Sequence, residues 1–453
     1  MPGMATEHVF VLGMGGTIMS AIASLLHDQG YRVSGSDLAA SRYTRALDPA
    51  ITLYEGHRAE NLPADIAWVT LSDAVPKDNP ELIEARRRGL PIRSRAEVIA
   101  EFTAPYKTIC VAGTHGKTST CGLISVGLIE SGLDAGYLIG ADSMNYGPNY
   151  RRAGGDWMVI EADEFARALV HLRPTVGIVT ALEMDHPDVY RDWEDYQSVF
   201  RTFVGRIDPD GLLLLGADCP AARSLAPYAR CRVQTYGYAA DADWRLGCRC
   251  AINNGMTATV YGPGGLEVEL VIGVPGDHML QNAAAALAAC IETGQDPAAV
   301  GRALRAYQGM GRRFERLIDQ GGILVVDDYA HHPAEVRTTV AGAARLGRRL
   351  RVVCQPHQIC RTKLLLDDYA GAFAAADEAY LVDIQRSRED DDPSFTAAQV
   401  AAAAGDVEYL GDLDAAFERL TSTAGEDEVW LCLGAGTSSK LAQRLAAWVQ
   451  AER

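Results

Sequence analysis

The sequence predicts an α/β chain of three domains, each built on a mostly parallel, doubly wound sheet. Its 453 residues exceed what one hydrophobic core serves, since domains typically hold about 100–200 residues. Short apolar strands alternate with helical patterns from end to end, the order that a parallel sheet with crossover helices requires. Two of the strand-to-helix junctions are rich in glycine, Gly13–Gly16 and Gly113–Gly116, as expected where backbone must turn sharply against a bound group.

The elements follow in order. His8-Val9-Phe10-Val11-Leu12 reads as a strand, followed by a glycine turn and a helix from about Met19 to Gln29. Tyr31-Arg32-Val33 is the next strand and ends at Ser34-Gly35-Ser36-Asp37. Asp65–Leu71 repeats the strand pattern, and Asn79-Pro80-Glu81 opens another helix. A second unit begins near Ala104-Pro105 with the strand Thr108–Ala112, continues through strands at Trp157–Glu161 and Gly177–Thr180, and closes near Gly309–Arg313. The third begins at Gly322–Asp328 and runs through Arg351–Cys354, Glu378–Val382 and Val429–Leu433, each followed by a helical stretch such as that holding Ala401–Ala404. The expected domains are therefore residues 1–104, 105–313 and 314–453. Arg388-Glu389-Asp390-Asp391-Asp392 reads as a solvated loop.

With 59 acidic against 42 basic residues, the formal charge is -17. That excludes nucleic acid or an anionic membrane as the main partner, but not an anionic small substrate in a local basic pocket. Val9–Leu26 is broken by glycines and lacks the basic flank and cleavage site of a signal peptide. No apolar run reaches the ~20 residues of a membrane span. The ten cysteines include no C-x-x-C pair; Cys248 and Cys250, if on a strand, share a face. Such usage fits reduced thiols in the cytoplasm rather than a disulfide frame or zinc site.

The strongest local signal is Gly113-Thr114-His115-Gly116-Lys117-Thr118, directly after a strand and before a helix. Backbone N–H groups of such a loop converge on phosphate, Lys117 adds a point charge, and the Thr118 hydroxyl is placed to ligate Mg²⁺. This makes the central domain a P-loop ATPase type of α/β domain between two Rossmann-like ones, although Val111 stands where the usual loop pattern has glycine. Two acid-rich segments end neighbouring strands: Glu161-Ala162-Asp163-Glu164 and Glu183-Met184-Asp185-His186. Carboxylates at the carboxyl edge of such a sheet suit Mg²⁺, which prefers oxygen ligands. Taken alone, Glu161 or His186 is equally a cap or a surface residue; the joint pattern points to function. His57, His115, His186, His278, His331, His332 and His357 all occupy turn-like or strand-end segments, which suggests a shared cleft. The first turn, Gly13-Met14-Gly15-Gly16-Thr17-Ile18, fails the dinucleotide fingerprint because its third glycine would fall at Ile18. It is a tight turn able to hold one diphosphate, and an NAD-type dehydrogenase leaves the second loop unexplained.

Together these motifs resemble the Mur ligase family over essentially the whole chain. Gly113–Thr118, Glu161–Glu164, Asp185-His186, Gly276-Asp277-His278 with Asn282-Ala283, Gly311–Glu315, Asp327–Pro333 and Gln355-Pro356-His357 are similar to family motifs in the same order. Gly15-Gly16, Ser34–Asp37 and Gly56-His57, with the last two of those motifs, resemble the branch that adds L-alanine to UDP-N-acetylmuramate. The resemblance implies ATP and Mg²⁺ as cofactors, a carboxylate–amine ligation through an acyl phosphate, and a cytoplasmic role in peptidoglycan precursor synthesis. By residue it implies that Gly13, Gly15, Gly16, Ser20 and Asp37 hold the substrate diphosphate region, with His57 near the uracil. Gly113, Thr114, Gly116, Lys117 and Thr118 would hold the ATP phosphates, and Thr118, Glu161 and His186 the metal. His278 and Asn282 would meet the adenine. Arg313, Asp328, Tyr329, His357 and Arg361 would position nucleotide and amino acid, with Lys117, His186, His357 and Arg361 closest to the chemistry.

The sequence departs from that pattern at Ile18, at Phe165-Ala166-Arg167 where the branch usually has Ser-Asp-Ala, at Met279, and at Gln358 where arginine is usual. Arginine at 358 would suit an amino acid's carboxylate by its bidentate fork; Arg361 is the candidate substitute. Arg201 stands where some Mur ligases carry a modified lysine. The competing expectations are a paralogous ligase with another acceptor, such as a recycled murein peptide, and a non-catalytic ATP- or UDP-sugar-binding protein.

Overall fold

The structure, a computed structural model, describes residues 7–252, 254–386, 389 and 392–453. Of the expected acidic loop, Arg388, Asp390 and Asp391 lie outside the described residues. The chain forms two compact units, one from Met1–Leu182, Gln197–Thr235 and Ala285–Val300, the other from Glu183–Tyr196, Tyr236–Ala284 and Gly301–Arg453. Among the described residues no helix is long and apolar enough to cross a membrane.

The first unit carries two sheets. In the first, five parallel strands lie in the order Thr52–Glu55, Arg32–Asp37, His8–Leu12, Ile66–Leu71, Ile92–Ser94. Alternation along the central strand explains its two cores: Val9 and Val11 pack with Ile22, Leu26 and Trp68, whereas Phe10 and Leu12 pack with Val69, Leu82 and Ala85. The strand Arg32–Asp37 runs four residues past the expected Tyr31–Val33 core. Its Ser34, Gly35 and Ser36 are buried, so pairing with the neighbouring strands overrides their weak strand propensity. The order reverses between His8–Leu12 and Ile66–Leu71, which opens a crevice at their carboxyl ends.

In the unit's second sheet, Leu212–Gly216, Val176–Val179, Lys107–Ala112, Trp157–Glu161 and Gly136–Leu138 are parallel neighbours in that order, and Tyr150–Arg151 adds an antiparallel edge. Lys107–Ala112 comes first in sequence yet lies between two later strands, so here too the reversal puts its outgoing turn in a crevice.

The second unit carries a six-stranded sheet ordered Glu315–Gln320, Ile323–Asp328, Glu428–Leu433, Arg349–Cys354, Glu378–Val382, Glu408–Gly411; only the first strand is antiparallel. Trp430, Val325, Val353 and Tyr380 pack under Leu441, Leu445 and Val449 of the helix Ser438–Glu452. The hairpin Gly255–Gly262 with Leu266–Ile272 belongs to this unit as well. Cys250 begins a short strand, Cys248 precedes it, and both are exposed free thiols, so the pair does not share one strand face.

Candidate active site

The phosphate loop follows from its flanks. Residues Thr108–Ala112 are buried, and the strand ends at Gly113, whose φ is +130°. A Cβ there would lie 2.1 Å from Thr180 Oγ1, so only glycine permits the approach. The neighbouring strand end then pins the loop: Thr180 N–H donates to Ala112 O and Thr114 N–H to Ala181 O at 2.7 Å, while the Thr180 hydroxyl donates to His115 O at 2.5 Å. Gly116, at φ +78°, starts the helix Lys117–Glu130 with no side-chain cap of its own, and a helix N-terminus favours an anion.

Lys117 is drawn back over this loop. Its ammonium donates to Gly113 O at 2.5 Å and Thr114 O at 3.2 Å, and pairs with Glu164 at 2.8 Å, the Glu164 side chain being 1 % exposed. Burial works against its charge, but Glu164, Asp163 and Glu161 outweigh that and hold it above the usual lysine range. Beside it the Thr118 hydroxyl donates to Glu161 Oε1 at 3.0 Å, and Gly140 N–H donates to Glu161 Oε2 at 2.7 Å. Thr118 and Glu161 are oxygen donors, the chemistry that Mg²⁺ prefers.

The segment after Glu161 is strained. Ala166 and Arg167 both take left-handed conformations, at φ 53° and 59°, each costing of order 1–3 kcal/mol. Asp163 organises this turn: its Oδ1 accepts Phe165 N–H at 3.1 Å, its carbonyl accepts Leu169 N–H, and its Oδ2 takes Arg95 at 2.9 Å.

In the first sheet, Gly13 N–H and Met14 N–H both donate to Ser36 O, and Gly15 N–H donates to Asp37 Oδ2 at 2.7 Å. The fit is close, since a Cβ on Gly15 would lie 2.7 Å from the Asp37 carboxyl carbon. Gly16 precedes the helix Thr17–Asp28 without a side-chain cap, and the Ser20 hydroxyl donates back to Thr17 O. The His57 ring meets Ser36 Oγ at 3.2 Å and the fully buried Glu81 at 3.1 Å.

The second unit gathers its predicted residues into three groups. Arg361, 5 % exposed at its side chain, donates from Nε to Asp185 Oδ1 at 2.7 Å; its Nη atoms meet His186 Nδ1 at 3.3 Å and His357 Nδ1 at 3.5 Å. The His331 and His357 rings stand edge to face at 5.8 Å. Burial opposes ionisation of Asp185, yet His186 and Arg361 hold its carboxyl well below the usual range. Burial, then Arg361, pushes His331 down to about 3. Gln358 follows His357 at φ +67°. In the second group Asp328 is spent on backbone, accepting Phe314 N–H and Ala330 N–H, and the Tyr329 ring has both Arg312 and Arg313 guanidinium groups against it, at 5.0 and 4.8 Å. In the third, His278 and Asn282 share one face of the helix Asp277–Glu292; burial lowers His278 to about 4, and its buried Nδ1 has no hydrogen-bond partner.

Of the seven histidines expected to share a cleft, His186, His331 and His357 gather around Arg361, whereas His57 is committed to Ser36 and Glu81. Sequence reasoning missed Glu164 as the partner of Lys117, although it quoted the acidic segment that holds it. It also missed Asp185 as the partner of Arg361, although Asp185-His186 was among the motifs, and it missed the Gly140 N–H and Arg95, which carry no local pattern.

Doubly wound sheets with this loop, an adjoining lysine–carboxylate pair and two oxygen donors define a nucleotide-phosphate-binding α/β protein. Family profiles described as Mur ligase family, catalytic domain, as Mur ligase middle domain and as Mur ligase, glutamate ligase domain match residues 8–107, 111–290 and 312–436. The chain is 41% identical to a UDP-N-acetylmuramate–L-alanine ligase of Kineococcus radiotolerans, over 94% of this chain and 93% of that one. It is 38% identical to the ligase of the same description from Mycolicibacterium vanbaalenii, over 98% and 97%. The crystal structure of the UDP-N-acetylmuramate-alanine ligase of Thermotoga maritima superposes with a TM-score of 0.84 at 26% identity, covering 98% of this chain and all of that one. The chain belongs to the Mur ligase family.

Proposed function

We propose that this chain is an ATP-dependent ligase that joins L-alanine to the carboxylate of UDP-N-acetylmuramate, an addition step of peptidoglycan precursor synthesis in the cytoplasm. The observation that carries the chemistry is the phosphate loop with Lys117 at its mouth and the Thr118–Glu161 oxygen pair beside it. The full-length relatives of that description support the substrates.

In this reading residues 1–104 hold the UDP-sugar, 105–313 the ATP and 314–453 the amino acid. The backbone of Gly13–Gly16 holds the diphosphate, with Asp37 and His57 shaping the turn. Lys117 follows the γ-phosphate as a substrate carboxylate oxygen attacks phosphorus and ADP leaves with the bonding pair. Thr118 would ligate the Mg²⁺ that accompanies ATP, and Glu161, with His186 in the reading the family resemblance implies, would hold a second; bound there, such ions would supply charge neutralisation at the transferring group. The acyl phosphate makes phosphate the leaving group, so the amine of the amino acid forms the amide bond and expels it. Arg361, held by Asp185 with His186 and His357 against it, positions that amino acid, and Tyr329 lies on the same sheet's carboxyl edge. His278 and Asn282 meet the adenine, while Asp328 and Arg313 shape the nucleotide edge by holding Phe314 and Tyr329 in place.

The test is phosphate release by purified protein with ATP, Mg²⁺ and UDP-N-acetylmuramate, with L-alanine, L-serine, glycine or L-Ala-γ-D-Glu-meso-diaminopimelate as acceptor. Release fastest with L-alanine is expected. Release only with the tripeptide would make the chain a peptide-recycling ligase, and ATP binding without turnover would make it a binding protein.

A further inference from the structure

Arg95 lies at the first turn of the helix Arg95–Thr103 in the sugar-side sheet, outside every motif that identified the chain. Its side chain is 10 % exposed, a rare state for arginine unless it is paired. Nε donates to Asp73 Oδ2 at 2.5 Å, and Nη2 donates to Asp163 Oδ2 at 2.9 Å and Phe165 O at 3.4 Å. The guanidinium therefore ties two carboxylates from different sheets of the same unit.

Each carboxylate stands next to one of the two glycine turns. Asp73 follows Ser72, whose N–H donates to Leu12 O and whose Cβ is the atom a side chain on Gly13 would meet. Asp163 lies between Glu161 and Glu164, the partners of Thr118 and Lys117. Its other oxygen caps Phe165 N–H, so Arg95 fixes the carboxylate orientation that closes the strained turn at Ala166 and Arg167. The path thus runs from Leu12, which precedes the first turn and accepts Ser72 N–H, through Asp73, the next residue, to Arg95 and Asp163, which is joined through the chain to Glu164.

We propose that Arg95 is a positioning residue that couples occupancy of the Gly13–Gly16 turn to the seating of Glu161 and Glu164 against the phosphate loop. A ligand that draws Ser72 and Asp73 toward the first turn moves the guanidinium, and the guanidinium moves the turn that carries both carboxylates. The two sites then share one free energy, so each ligand tightens the other by the same factor. The proposal rests on the substrate reading given above.

The experiment is calorimetric titration of the full chain with a non-hydrolysable ATP analogue and Mg²⁺, with and without UDP-N-acetylmuramate. In the wild type the sugar nucleotide should tighten analogue binding about tenfold. Arg95→Gln should bring that factor close to one while each ligand alone binds within about twofold of wild type, Arg95→Lys should restore part of it, and the KM of each nucleotide at saturating partner should rise by the lost factor. Asp73→Asn, which leaves the Arg95–Asp163 pair intact, should lower the factor less and serves if Arg95→Gln does not fold. An undiminished factor in Arg95→Gln or Asp73→Asn at wild-type Tm overturns the proposal. Failure of the wild type to bind UDP-N-acetylmuramate at all overturns the substrate reading, and the coupling with it.

Discussion

The two glycine turns of the first unit share a plan and differ in charge. Both follow the central strand of a parallel sheet at its point of reversal, and both lead into a helix with no side-chain cap, Thr17–Asp28 or Lys117–Glu130. The residues Gly13–Gly16 include no cation, and Gly15 N–H donates to the Asp37 carboxyl group. At the second, Lys117 pairs with Glu164, and the Thr118 hydroxyl and Gly140 N–H both donate to Glu161. A backbone cradle alone suits a diphosphate that is held and never broken. Moving a phosphoryl group demands compact charge that follows it, and only the second turn has that.

The largest test of this contrast is Lys117→Ala. Phosphate release should fall about 10³-fold while UDP-N-acetylmuramate binding, measured by calorimetry, stays within about twofold; equal loss of both would erase the distinction. Metal removal is next. Chelating Mg²⁺, or Glu161→Gln at fixed Mg²⁺, should lower turnover by roughly 10² and shift the Mg²⁺ dependence in the variant, with the sugar nucleotide still bound by the first turn. The reverse perturbation is Gly15→Ala, which forces Asp37 aside and should raise KM for UDP-N-acetylmuramate about tenfold, or ~1.4 kcal/mol. Its kcat and KM for ATP should hold; a collapse in kcat would mean that the first turn does more than bind. An effect on stability and not on turnover separates both turns from the rest of the chain. His331 is held near 3 from an ordinary 6.5, so its neutral form belongs to the fold and the unfolded chain takes up the proton first. Its contribution is complete above pH 6.5 and is lost as pH falls toward 3, at up to about 1.4 kcal/mol per pH unit. Denaturant titrations of His331→Asn should show a flatter acid limb than wild type, and an unchanged slope would place that acid sensitivity on other groups.

How much of this was legible in the sequence depends on how far each signal travels along the chain. Trp157–Glu161 and Glu378–Val382 are strands at the expected bounds, because apolar runs between turn residues speak for themselves. The phosphate loop was equally readable, since strand, glycines, lysine and threonine are contiguous. Partnerships were not. Lys117 with Glu164 spans 47 residues, Arg95 with Asp163 spans 68, and Arg361 with Asp185 spans 176; each is set by tertiary structure, to which no local pattern points. The Asp328 carboxylate shows the same limit from the other side. The resemblance implies that it helps position nucleotide or amino acid; its two oxygens accept the backbone N–H groups of Phe314 and Ala330, contacts that the sequence does not announce.

The Lys117–Glu164 pair has a consequence for inhibition. The chain supplies its own occupant for the cation that a γ-phosphate would seek, so any anionic ligand enters by exchange rather than by filling open space. Apparent nucleotide affinity is then the intrinsic affinity scaled by the fraction of molecules whose lysine has let go of its internal partner. A compound built to bridge Lys117 and Glu164 together, with an anion for one and a donor for the other, would bind the resting form directly and escape that exchange.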